Sequence, residues 1–61
     1  MKFYDVTIYI KGMGYDIYDV YRINAENALQ AVEVCRDRIS EEISEQAAEL
    51  MVIVRVDIVW G

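Results

Sequence analysis

Acidic side chains recur at helical spacing in the middle of this chain. Glu33, Asp37 and Glu41 follow one another at intervals of four residues, and Glu26 lies seven residues before Glu33. Residues at these spacings share one face of an α-helix, so their carboxylates would form an exposed row rather than an acid and a base paired in a pocket. Such a row is either a solvated surface or a surface that attracts a basic partner.

Side chains suited to nucleophilic, metal or redox chemistry are scarce. The chain has no histidine and a single cysteine, Cys35, which falls in an apolar helical stripe. A free cysteine in such a stripe is usually a packing residue, and Ser40 and Ser44 lie in an acidic segment with no base to activate them. No glycine-rich phosphate loop occurs. We therefore expect no enzymatic activity and no bound cofactor or metal.

The net charge of −5 lies in one segment. Residues 24–49 contain seven acids and two arginines, whereas the four acids elsewhere balance four bases. This field disfavours direct binding to nucleic acids or to membrane surfaces. The first residues lack the continuous apolar region of a signal peptide, and no apolar run reaches the roughly 18 residues of a membrane span. With one unpaired cysteine, these features predict a cytoplasmic protein.

The hydrophobic pattern predicts two strands, a helix and a third strand in one small domain over 1–61. Apolar residues occupy the even positions from Tyr4 to Ile10, and the glycines of "KGMG" indicate a hairpin turn into a second strand. Asn24 would cap an amphipathic helix that extends to about Ala47. If this helix crosses back over the sheet, the first strand fits between the other two. The predicted fold is α+β, a three-stranded antiparallel sheet with one helix on one face.

One helix leaves the other face of the sheet open, and the sequence predicts that face to be apolar. A three-residue loop, 12–14, would place Tyr9 opposite Ile17 and would keep Asp19 out of the core. The large apolar residues expected on the open face are then Phe3, Tyr9, Ile17, Tyr21, Ile23, Met51, Ile53 and Val59. An apolar face on so small a domain indicates an interface. We predict a homodimer through this face, with a monomer whose tyrosines shield the sheet as the alternative.

Four short motifs occur in an order found in a known family. They are "YDVT" at 4–7, "YDIYDVY" at 15–21, "EV" at 33–34 and "RVDIV" at 55–59. With these motifs the chain resembles the small acidic uracil-DNA glycosylase inhibitors of protein-primed Bacillus phages. Those proteins are dimers that mimic DNA and block the host repair enzyme.

The resemblance implies a non-enzymatic inhibitor and a set of contact residues. In that family an aromatic residue on the helix, followed by a glutamate, enters an apolar pocket of the glycosylase and is surrounded by acids. The corresponding residues here are Val32 and Glu33, with Glu26, Asp37 and Glu41 as the acidic surroundings. The implied partner is uracil-DNA glycosylase or another DNA-binding protein with a basic groove.

Two other functions fit the same residues. An inhibitor of a different nucleic-acid-binding host or defence protein, such as an anti-CRISPR protein, would use the same acidic row. A purely structural dimerisation module would use only the open face of the sheet.

Overall fold

The structure is a computed structural model that describes residues 2–60. Its elements are, in chain order, β1 (Lys2–Ile10), β2 (Ile17–Ala25), α1 (Ala28–Glu42), α2 (Glu45–Leu50) and β3 (Met51–Trp60). The strands form one sheet in the order β2-β1-β3, and β1 is antiparallel to both neighbours. The predicted α+β fold, a three-stranded antiparallel sheet with one main helix, is confirmed. Within residues 2–60, no helix has the length and hydropathy needed to cross a membrane.

The core lies between β1 and the helices. Alternation along the central strand places its even residues on the helix side, where Tyr4, Val6, Ile8 and Ile10 are buried. The helices complete this core with small and medium side chains, namely Ala31, Cys35, Ile39, Ala47 and Ala48. Because most of these are small, the helices can approach the sheet closely.

The main helix begins one turn later than the sequence predicted. Asn24 belongs to β2, and the cap is Asn27, whose side-chain oxygen accepts a 2.8 Å hydrogen bond from the backbone N–H of Gln30. Both asparagines are favourable N-cap residues, so residue type alone does not determine where the helix begins. The burial of Ala25 determines it, because Ala25 extends β2 opposite Lys2 and is fully buried.

The helical region is also divided, whereas a single helix to about Ala47 was predicted. α1 ends at Glu42, and Ser44 has extended backbone angles and caps α2 by accepting a 3.1 Å hydrogen bond from the N–H of Ala47. The break redirects the chain so that Ala47 and Ala48 are buried. The serine was a local signal for this second start.

The pairing of β1 with β2 differs by one residue from the predicted register. Tyr9 lies opposite Tyr18 rather than Ile17, and six residues, 11–16, connect the strands. Gly12 and Gly14 have positive φ angles of 100° and 86° in this connection, which glycine adopts readily. A shift of one residue moves every side chain of β2 to the opposite face.

In the observed register Asp19 lies on the helix side of β2, where the sequence predicted that its carboxylate would be buried. Because β2 is an edge strand, Asp19 stays exposed there, and its carboxylate accepts a 2.8 Å hydrogen bond from the N–H of Val20. Because the Asp19 carboxylate stays in solvent, this register carries no free-energy cost for burying a charge.

The register can be tested with two truncations on β2. Ile23 is 1% exposed on the helix side of the sheet, whereas Val20 is 50% exposed on the opposite side. Ile23→Ala should lower the free energy of unfolding by about 2–5 kcal/mol because it leaves a cavity. Val20→Ala should lower it by less than about 1 kcal/mol. Urea denaturation followed by circular dichroism measures both, and a larger loss for Val20→Ala would contradict the observed pairing.

Candidate functional site

Three carboxylates form a row on the solvent side of α1. Glu33, Asp37 and Glu41 are exposed, and we call them the acidic row. They begin two residues after Ala31, the first member of the buried stripe. Two residues correspond to about 200° of rotation around a helix, so the row lies on the side of α1 opposite the sheet. The structure therefore brings these three predicted residues together on one surface.

Glu26, the fourth predicted acid, lies outside this row. It precedes α1 and is exposed, and its backbone N–H donates a 2.8 Å hydrogen bond to the side-chain oxygen of Gln30. The helix begins later than predicted, so the seven-residue spacing from Glu26 to Glu33 no longer places both on one helical face.

An exposed leucine extends the acidic row toward the N-terminus of α1. Leu29 is four residues before Glu33 and is 70% exposed, whereas Val32, the predicted anchor, is only partly exposed. The buried stripe of α1, Ala31, Cys35 and Ile39, is too narrow to include Leu29. The sequence spacing could have indicated that Leu29 lies in line with the acids, because Leu29 precedes Glu33 by the same four residues that separate the acids. Leu29 is therefore the most exposed large apolar side chain of α1.

The acidic row has no close cationic partner among the described residues. The ion pairs found within residues 2–60 are Arg22–Asp5, Arg38–Glu42 and Arg55–Asp57. Of these only Arg38–Glu42 lies on α1, at 3.7 Å and with both side chains exposed. The negative charge of the row is thus left for solvent or for a partner.

The open face is the sheet surface opposite the helices, and aromatic pairs lie toward its two ends. Phe3 and Trp60 have ring centroids 5.9 Å apart at one end, and Tyr9 and Tyr18 have centroids 6.2 Å apart at the other. Such tilted pairs stabilise beyond simple area burial. Trp60 and Tyr18 are each 67% exposed, so much of their surface remains free.

Two ion pairs lie in the middle of the open face, one between β2 and β1 and one within β3. Arg22 donates two hydrogen bonds to Asp5, of 3.0 and 3.2 Å, and Arg55 lies 2.7 Å from Asp57. Asp5 and Asp57 are directly opposite each other on adjacent strands, an arrangement that is unfavourable for like charges. Each carboxylate has its own arginine, which offsets the repulsion. The hydrogen bond from Arg22 holds the pKa of Asp5 below its ordinary value.

Five of the eight residues predicted for the open face lie on the helix side instead. Within β2 this follows from the shifted register. In β3, Met51 and Ile53 lie opposite the core residues Ile10 and Ile8. The five displaced residues are Ile17, Tyr21, Ile23, Met51 and Ile53.

The other three predicted residues lie on or beside the open face. By the strand pairing Phe3 and Tyr9 are on it. Val59 lines, with Phe3, Arg22 and Trp60, a shallow depression of about 410 Å³. The exposed apolar residues that replace the displaced ones are Tyr18, Val20, Val52 and Trp60.

Burial controls the two titratable groups nearest the core. Cys35 is fully buried, and burial raises the pKa of its thiol, which keeps the thiol protonated and unreactive. Burial likewise raises the pKa of Tyr21, with Glu42 and Asp19 contributing. Within residues 2–60, no group of three or more Asp, Glu or Cys side chains could hold a metal ion.

Comparisons with protein-family models, curated proteins and solved structures found no match to this chain.

The ion pair at Asp5 can be tested by titration. Because its pKa is lowered in the folded protein, Asp5 stabilises the fold above its ordinary pKa, and this contribution is lost as the pH falls through the folded-state value. Arg22→Gln should move the pKa of Asp5 up toward its ordinary value, as measured by NMR of the carboxyl carbon. Arg38→Gln removes an equal charge from α1 as a control. An equal shift in both variants would mean that the general field, rather than the hydrogen bond, lowers this pKa.

Proposed function

We propose that this protein is a non-enzymatic inhibitor that occupies the basic groove of a DNA-binding protein with the solvent side of α1. Uracil-DNA glycosylase is the first target to test. The observation that carries the proposal is the line of exposed residues on α1, in which Leu29 is followed at one-turn intervals by Glu33, Asp37 and Glu41. This line combines an apolar group with carboxylates that have no close cation among residues 2–60.

The charge spacing explains why the proposal needs the leucine. Four residues of α-helix rise about 6 Å, whereas one strand of DNA carries a phosphate about every 3.4 Å along the axis. The acidic row therefore supplies roughly half the linear charge density of one DNA strand. Binding through these charges alone would weaken steeply with salt. Full burial of a leucine side chain adds about 1.5–3 kcal/mol that salt does not screen.

The rigidity of α1 favours tight binding. The helix is attached to the sheet through Ala31, Cys35 and Ile39, all fully buried, and Asn27 caps its start. The backbone positions of the three acids are therefore fixed before a partner arrives, and no backbone entropy has to be lost to form the helix on binding. The partner would meet them as a preformed row.

The resemblance to the phage inhibitors supports the same target, with one change in the contact residues. It implied Val32 as the apolar anchor, but the greater exposure of Leu29 favours that residue in this chain. Glu33 remains beside the anchor, one helical turn away. A cytoplasmic site of action in a phage-infected host would be consistent with this role.

Two further candidates share parts of this surface. The same charges would fit the basic groove of another host or defence protein, such as the target of an anti-CRISPR protein. A structural dimerisation module is favoured by a different observation, the exposure of Tyr18, Val52 and Trp60 on the open face.

The inhibitor hypothesis predicts that purified protein stops uracil excision at a near-equimolar ratio to the glycosylase. Replacing Glu33, Asp37 and Glu41 together with glutamine should weaken binding by several kcal/mol, because hydrogen bonds to charged groups contribute about 1.5–3 kcal/mol each. Leu29→Ala should cost about 2 kcal/mol or more if this residue is the anchor. Calorimetric titration of each variant with the glycosylase measures these changes.

Matched controls separate the position of the charges from their number. Glutamine at Glu26, Glu45 and Glu49 removes the same net charge away from the row, and Leu50→Ala truncates a leucine of α2 that is 38% exposed. These controls should bind almost as tightly as the parent. Unchanged excision in large molar excess of the parent would exclude the glycosylase as target, and equal losses in the row and control variants would exclude the acidic row.

A further inference from the structure

The free edge of β3 is unusually apolar. Among residues 2–60, β3 pairs only with β1, so its other side presents unpaired backbone groups. Along its ten residues five large apolar side chains are exposed: Val52, Val54, Ile58, Val59 and Trp60. These side chains are not confined to one face, because Ile58 lies opposite Tyr4 on the helix side, whereas Trp60 lies opposite Phe3 on the open face. A partner covering only one face would leave part of this surface in water.

The sequence of β3 is chemically symmetric about Val56. Moving outward from that residue, Arg55 corresponds to Asp57 and Val54 to Ile58. The next pairs are Ile53 with Val59 and Val52 with Trp60. Each pair therefore consists of opposite charges or of two apolar residues. Two copies of a strand paired antiparallel about a two-fold axis at Val56 would bring together these same pairs.

We propose that two copies of this protein pair through the free edges of their β3 strands. The two three-stranded sheets then become one continuous antiparallel sheet. Arg55 of each copy meets Asp57 of the other, and opposite charges placed across strands stabilise the pairing. Val54 meets Ile58, and Val52 meets Trp60, so the exposed apolar residues of one edge cover those of the other. The unpaired backbone groups of both edges gain hydrogen bonds.

The local geometry of β3 supports pairing at its centre. Its register with β1 is irregular near Thr7/Ile8 and near Phe3/Tyr4, and the stretch between, Arg55 to Ile58, is regular. The proposed axis at Val56 falls within this regular stretch. A second arginine beside Asp57 would also relieve its repulsion with Asp5, which lies directly opposite it on β1.

The proposed pairing has a consequence for the helices. A two-fold axis that joins two edge strands into one sheet is perpendicular to that sheet, so both copies of α1 lie on the same face. The dimer would present two acidic rows on one side. The proposal itself rests on β3 alone and does not depend on the target of the acidic row.

Charge reversal at the edge gives a sharp test. Arg55 and Asp57 have exposed side chains, so their substitution should leave the fold intact. In Arg55→Asp the edge carries two acids, and in Asp57→Arg it carries two bases. Each single variant places like charges in both symmetric pairs and should weaken the dimer at least about tenfold in sedimentation equilibrium. Mixing the two single variants should restore association as a heterodimer, and the double variant Arg55→Asp/Asp57→Arg should restore the homodimer.

Arg22→Asp is the matched control. Arg22 also lies on the open face and is paired with an aspartate, Asp5, but it belongs to β2 at the opposite edge. Its reversal should leave the dimer affinity unchanged. Three results would overturn the proposal: a parent protein that remains monomeric at millimolar concentration, equal weakening by Arg22→Asp, or single variants that do not recover on mixing. The second of these would instead indicate a dimer packed through the open face.

Discussion

The pairing of β1 with β2 determines which side chains this protein presents to its surroundings. β1 is the central strand, and its even residues are buried against the helices, so its orientation is strongly constrained. The register of β2 against β1 is set by the six-residue connection between them, which contains two glycines with positive φ angles. The resulting register buries Ile23 and leaves Tyr18 and Val20 on the open face. With one residue fewer in the connection, the open face and the core would exchange their contributions from β2.

The helical layer is limited by the size of this core. A domain of 61 residues buries only about 60% of the surface of its unfolded chain, and α1 buries a single narrow stripe. Small residues in both helices make that contact close, but they leave most of the circumference of α1 in solvent. The acidic row and Leu29 lie on this remaining surface. The small core limits the stability of the domain. It also leaves two surfaces exposed, the solvent side of α1 and the outer part of the sheet.

Sequence patterns predicted the central strand, which has neighbours on both sides. They did not predict the register of the edge strand β2 or the residue at which α1 begins. Alternation along β1 predicted the central strand and the sheet, because a strand with neighbours on both sides must separate its apolar and polar faces. The register of β2 was missed because an edge strand can direct Asp19 toward the helix side without burying it.

The helix start was ambiguous because Asn24 and Asn27 are equally good caps, and only the burial of Ala25 distinguishes them. The spacing of four placed Glu33, Asp37 and Glu41 on one face of α1, since it depends on helical geometry alone, whereas the predicted fourth acid, Glu26, precedes the helix. The exposure of Leu29 instead depends on how α1 lies on the sheet, which periodicity does not specify.

The distribution of charge allows the two free surfaces to act independently. All of the net charge of −5 lies in residues 24–49, whereas β3 carries one arginine and one aspartate. Two copies that meet at β3 therefore bring neutral, apolar edges together and keep their acidic helices away from the contact. Salt would screen the remaining repulsion between the helices, and it would also weaken the attraction of the acidic row for a basic groove. Salt would also screen the Arg55–Asp57 attraction across the paired edges, so self-association should depend only weakly on ionic strength, whereas target binding through the acidic row should weaken as salt is added.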